Sequence, residues 1–165
     1  HEWHRVSLAL SGLWIVAYPA GGLLYATFSA PLVARLGEPG LALAGGLLIG
    51  AGYLCLLLAP AALVVLPGLL AVGIGFAMLH NTLQVNATQM APEARGAAVS
   101  LFAFCLFTSQ SAGIAVVGRV IDAAGIWPAY LAAALGLPLL ALEFRRRLQH
   151  KARAAEASGT ATGSA

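Results

Sequence analysis

The chain has 165 residues, of which 60% are hydrophobic and 9% charged, and a formal net charge of +3; its mean hydropathy is +0.86. Soluble domains carry roughly 25% charged residues, so this composition excludes an ordinary soluble domain and predicts a membrane chain. The positive charge does not indicate nucleic acid, because Arg145, Arg146, Arg147, Lys151 and Arg153 cluster past the last apolar stretch, where membrane topology accounts for them.

Four intervals hold no Asp, Glu, Lys or Arg: 6–34, 39–92, 96–118 and 123–142. A helix needs roughly 20 apolar residues to cross the hydrocarbon core, so the second interval holds two spans and the others one each. The expected fold is an all-α membrane protein of five helices at about 6–33, 41–58, 64–88, 92–118 and 128–147, within a bundle over 1–150. Residues 151–165 are expected to be a disordered cytoplasmic tail, because Ala, Ser, Gly and Thr there carry no apolar pattern. The chain starts at His1, and its first apolar run is too long and too aromatic for a signal-peptide core. A preceding segment is therefore expected.

In the first span, Trp14, Tyr18, Pro19, Gly21, Gly22 and Tyr25 lie in the middle, and a bend is expected at Pro19. The loop from Arg35 to Gly40 contains Gly37, Pro39 and Gly40, which stop one helix and start the next. The second span carries Gly46 and Gly50 in GxxxG spacing, a pattern that lets another helix approach closely. Pro60 and Pro67 bracket the passage to the third span. The fourth begins near Pro92, with Glu93 where the helix dipole favours an anion. Arg119, Asp122 and Gly125 form the next turn, Trp127 and Pro128 open the fifth span, and Pro138 bends it. Cys55 and Cys105 lie inside spans without metal-ligand spacing, so they read as small buried hydrophobes. No metal site and no cofactor are expected.

Five spans place Arg35, Arg95 and the five basic residues after Phe144 on one side, with Arg5 and Arg119 on the other. The positive-inside rule then puts the C-terminus in the cytoplasm and the N-terminus outside.

The polar end of the third span is the most informative stretch. His80 and Gln84 share a helix face, Asn81 is adjacent, and Asn86, Thr88 and Gln89 follow. Such side chains either meet a polar substrate, form a gate, or bond neighbouring helices together; both readings stay open. His80, with an ordinary pKa near neutral, is the one candidate for proton coupling, since no span carries a charge at mid-depth. In the fourth span Ser100, Phe104, Thr108 and Ser111 recur at helical spacing with Gln110 alongside, suiting either a solute path or a packing surface. Trp14, Tyr18 and Tyr25 in the first span present the same pair of readings.

Taken in order, Gln84, Pro92, Glu93, Arg95, Gly96, Ser100, Gln110 and Gly113 resemble the tenth and eleventh helices of major facilitator superfamily transporters, and among these bacterial drug and sugar efflux permeases. The segment Ala30 to Gly37 is similar to the family's cytoplasmic loop motif at Arg35 and Gly37, although Ala30 replaces its leading Gly and Ala34 its Asp. Gly113 and Gly118 keep the outer spacing of the family's antiporter motif, with Ile114 and Val117 replacing its Pro and Gly. The turn Pro92-Glu93-Ala94-Arg95-Gly96 is the most specific match. The resemblance covers about 6–149 and implies helices eight to twelve of a secondary active transporter in a bacterial inner membrane. It also implies a missing N-terminal half, a small drug-like or sugar-like substrate and proton coupling, with two halves rocking about a midplane site. These residues alone are then not expected to transport.

Two rival classes remain. A non-transporting assembly or scaffold subunit would use the glycine-rich faces to hold partner helices. An intramembrane enzyme lacks support, because no nucleophile and base stand in a workable arrangement and His80 has no acid partner in sequence.

Overall fold

The computed structural model describes the backbone of residues 8–58 and 62–162, and the side chains of 12–58 and 64–154. Arg5, Pro60 and the last residues of the expected tail lie outside the described residues. The described chain is all helical: α1 (Leu8–Leu58), α2 (Ala62–Gln89), α3 (Arg95–Ala124) and α4 (Ile126–Thr162), with a 3-10 turn at Pro92–Ala94 between α2 and α3. Each of the four helices contains a stretch long and apolar enough to cross a membrane.

The expected count of five becomes four because the loop at Arg35–Gly40 shrinks to one residue. Within the 51 residues of α1, only Gly37 leaves helical geometry, at φ 62° and ψ 175°. That combination is essentially restricted to glycine, since a Cβ would clash there. Pro39 follows two positions later and has no N–H to give to a preceding turn.

Gly37 divides α1 into two arms, 8–36 and 38–58, that fold back on each other across α2. A Cβ built on Gly73 would run into the Tyr18 carbonyl, and one on Gly22 would lie 4.0 Å from Ala77. The first arm therefore runs parallel to α2. In the second arm Leu41 packs with Met78, Gly45 faces Gly75, and Gly52 faces Gly68. That arm runs antiparallel to both. The second arm also carries α4 on its other side, where Gly46 meets Ala141, Gly50 meets Pro138, and the Tyr53 and Tyr130 rings sit 5.5 Å apart.

Adjacent positions on a helix differ by about 100°, so Gly45 and Gly52 open one face while Gly46 and Gly50 open another. The second arm is consequently the central element. Ala42, Ile49, Val72, Leu79 and Leu148 form the larger buried cluster around it, and Tyr25, Leu41 and Met78 the smaller. By contrast, α3 has no buried residue and touches the rest chiefly along α2 and α4.

Three further stretches continue as helix. Helical geometry continues through Pro19, where the flanking Tyr18 and Gly21 lie against the α2 backbone at Gly73 and Leu70; one lost hydrogen bond is tolerated where neighbours fix the segment. Arg119 and Asp122 continue α3 rather than ending it, and the turn is reduced to Gly125 at φ 77°, whose N–H donates to the Ile121 carbonyl at 2.8 Å. Helix α4 runs on to Thr162, through most of the stretch expected to be the tail. Its Lys, Arg, Glu and Ala are strong helix formers, and adding turns to an existing helix avoids the nucleation cost.

The alternating directions gather Gly37, the Pro92–Ala94 turn and Leu148 near one end of the bundle, and the ends of the second arm, α3 and the start of α4 near the other. Arg35, Arg95 and the basic run of α4 thus share the first end, while Arg119 lies toward the second.

Candidate functional site: a polar cavity at the basic end of the bundle

The end of α2 places polar side chains every three or four residues, at Asn81, Gln84 and Thr88. The two arms of α1 flank this face and leave a cavity of about 490 Å³ that is open on one side, lined by Tyr25, Ser29, Glu38, Asn81, Thr82, Gln84 and Thr88 together with Val33, Leu41 and Val85. Its size lies within the range of about 300–1,000 Å³ usual for small-molecule sites.

One hydrogen bond fixes its geometry. Nδ2 of Asn86 donates to a Glu38 carboxylate oxygen at 2.8 Å and to the Thr82 carbonyl at 3.0 Å. Asn86 and Thr82 are both buried, at 7% and 4% exposure, so each polar group needs a partner. Thr82 satisfies its hydroxyl by donating to the Met78 carbonyl at 2.9 Å. Ser29 donates to the Ala26 carbonyl at 2.9 Å, which aligns its oxygen lone pairs for further donors.

Of the polar set expected on α2, Asn81 and Gln84 line the cavity, and His80 does not. His80 is half-buried and stacks on Phe76 with ring centroids 5.4 Å apart and planes within 10°. Phe102 of α3 meets its other side at 5.6 Å, and Tyr18 extends the row through Phe76 at 5.9 Å. His80 and Tyr18 therefore belong to an aromatic row joining the first arm, α2 and α3. Trp14 is half-buried one turn before Tyr18.

Thr108 and Gln110 are exposed on α3 and do not meet the cavity. Arg35 is exposed and lines a separate apolar groove of about 380 Å³ with Leu24, Phe28 and Leu32. Gly37 is the hinge of the hairpin. Pro92, Glu93, Arg95 and Gly96 are exposed in and after the 3-10 turn. Gly46 and Gly50 are covered by α4, whereas nothing lies within 4 Å of a Cβ built on Gly113 or Gly118.

Tyr25, read from the sequence as a path or packing residue, lines the cavity, whereas sequence reasoning missed Glu38 and Ser29 as companions of Asn81 and Gln84. Glu38 read as a loop charge, 48 positions from Asn86. The available signal was depth: the end of the first arm, the start of the second and the end of α2 were all expected on one side of a bilayer. Among the described residues no group of His, Cys, Asp and Glu could hold a metal ion. No family model, curated protein or solved structure matches the chain.

Proposed function

We propose that the chain is part of a membrane transporter for a small polar organic solute, and that the cavity between the α1 hairpin and the end of α2 is where the solute is held. The observation that carries this reading is the cavity itself. A hydrogen-bonding chamber with a carboxylate in its wall is costly to maintain in an apolar bundle, and a solute path gives it a use. On this reading the helices cross the bilayer five times. Fully extended, the 51 residues of α1 would reach about 77 Å at 1.5 Å per residue, far beyond a hydrocarbon core of about 30 Å, whereas each arm matches one crossing.

The excess of Lys and Arg at the Gly37 end makes that end cytoplasmic. The motif at Arg35 and Gly37 and the turn from Pro92 to Gly96 support a transporter of the major facilitator type in a bacterial inner membrane, working by efflux. A second bundle supplies the other wall of the path.

The test is solute flux across native membranes carrying the protein, with and without Ser29→Phe, which fills the cavity. The expected result is flux of a small polar solute that Ser29→Phe abolishes while membrane insertion is unchanged. Flux indifferent to that variant, or none across a broad solute panel, overturns the reading.

A second reading, a non-transporting subunit that holds partner helices, is favoured by one observation: α3 has no buried residue and leaves Gly113 and Gly118 uncovered. Absence of flux together with co-purification of another membrane chain through α3 would select it.

A further inference from the structure

Among the residues that line the cavity, Glu38 is the only Asp, Glu, Lys, Arg or His. Glu38 is half-buried, and one of its oxygens accepts from Asn86. Among the described residues the only ion pair is Arg147 with Glu143 on the surface of α4, so no Lys or Arg neutralises Glu38. The basic side chains of this end stand elsewhere. Arg35 lines the neighbouring apolar groove, and Arg95 is exposed at the start of α3.

The amide donor from Asn86 is neutral and leaves the carboxylate charge uncompensated. An arriving cation would find in Glu38 a carboxylate with no ion-pair partner among the described residues, and would add a charge interaction to the hydrogen bonds of the walls. Around Glu38 the remaining polar walls are uncharged: the Ser29 and Thr88 hydroxyls, which donate to backbone carbonyls and keep lone pairs free to accept, and the Asn81 and Gln84 amides, which can donate or accept. Tyr25, buried to 4% exposure, adds an aromatic ring of the type that attracts cations.

We propose that the cavity selects a compact organic cation, an ammonium or amine-bearing solute, with Glu38 as its counter-ion and Asn86 as the residue that positions the carboxylate. This rests on the reading of the cavity as the solute site. The ligand is small, because about 490 Å³ must also accommodate any water it retains. A neutral solute of the same shape gains the hydrogen bonds but not the charge interaction, and an anion meets Glu38 as a like charge. Cations are therefore preferred over both.

The test measures equilibrium binding to the purified full chain in lipid nanodiscs, using choline and phenethylammonium as probes, with benzyl alcohol and benzoate for comparison. Saturable binding of the two ammonium probes, at least tenfold tighter than benzyl alcohol, is expected. Glu38→Gln retains an acceptor for Asn86 and so preserves the hairpin, and it should weaken ammonium binding at least tenfold. Ser29→Phe should abolish binding while leaving the carboxylate in place, and Asp122→Asn at the opposite end should change nothing.

Ammonium probes that bind no better than benzyl alcohol overturn the proposal. So does a folded Glu38→Gln that binds them as the native chain does. Flux measured in native membranes, where the other bundle is present, distinguishes the two readings: binding to the chain without flux there supports the cation site and removes the transport reading. Flux of neutral solutes without ammonium binding does the reverse.

Discussion

Gly45 and Gly75 stand so close across the bundle that a Cβ on Gly45 would lie 2.8 Å from the Gly75 carbonyl oxygen, and a Cβ on Gly75 would lie 2.5 Å from that of Gly45. Lipid tails are as apolar as leucine, so helices in a bilayer associate through close packing rather than through expulsion of water. This pair, with Gly52 and Gly68 two turns further on, is where the second arm of α1 lies backbone to backbone with α2.

Gly45→Val and Gly75→Val should each destabilise the bundle by roughly 1–3 kcal/mol, the usual cost of overpacking a tight site. Gly113→Val on α3 should change stability by less than about 0.5 kcal/mol, since nothing lies near its added side chain. Thermal denaturation in micelles, followed by loss of monodisperse protein, checks the contrast. Equal effects at all three positions would remove the second arm from the centre of the fold.

The hairpin should be equally sensitive at its turn. Gly37→Ala places a Cβ at φ 62° and ψ 175°, and backbone strain of that type costs roughly 1–3 kcal/mol. The variant should show a lowered midpoint in the same denaturation assay. Gly96→Ala, where an added Cβ meets nothing within 4 Å and the backbone is already helical, should be neutral or slightly stabilising.

Glu38 and Asn86 should be energetically coupled. A double-mutant cycle with Glu38→Ala and Asn86→Ala is expected to return a coupling of about 0.6 kcal/mol, with an upper range near 1.7 kcal/mol, as found for hydrogen bonds between membrane helices. Additive effects of the two substitutions would show that the 2.8 Å contact contributes nothing to closing the hairpin on α2.

Topology offers an independent check. After Cys55 and Cys105 are replaced by Ala, a single cysteine at Glu93 or Lys151 should react with a membrane-impermeant maleimide only once cells are opened. One at Asp122 should react in intact cells. Labelling of Glu93 and Asp122 positions from the same side would contradict the alternating helix directions.

Much of the architecture was legible because it depends on local chemistry. The long uncharged intervals predict apolar helices, and Gly37 and Gly125 lie at the expected reversals, since each has a backbone angle that glycine alone adopts comfortably. The width of the turns was not legible. Contacts of Tyr18 and Gly21 with α2 hold the helix through Pro19, and α3 runs on through the exposed Arg119 and Asp122 to Gly125, where the sequence suggests a bend or a stop. Likewise, the spacing of Gly46 and Gly50 marks a close-packing face in the sequence, but only the fold assigns that face to Ala141 and Pro138 of α4 and gives Gly45 and Gly52 to α2.

The candidate site divides in the same way. Asn81 and Gln84 were visible as polar residues in an apolar helix, because hydrogen-bonding groups at membrane depth demand partners. His80 shares their stretch of sequence yet enters an aromatic row with Phe76 and Phe102, a distinction set by neighbours on other helices. Composition and glycine placement thus determine that this chain forms long apolar helices and where they reverse, since both follow from local hydropathy and backbone sterics. The pairing of Glu38 with Asn86, and with it the charge in the cavity wall, is decided only when the α1 hairpin closes on α2, because a contact between residues 48 positions apart has no local cause.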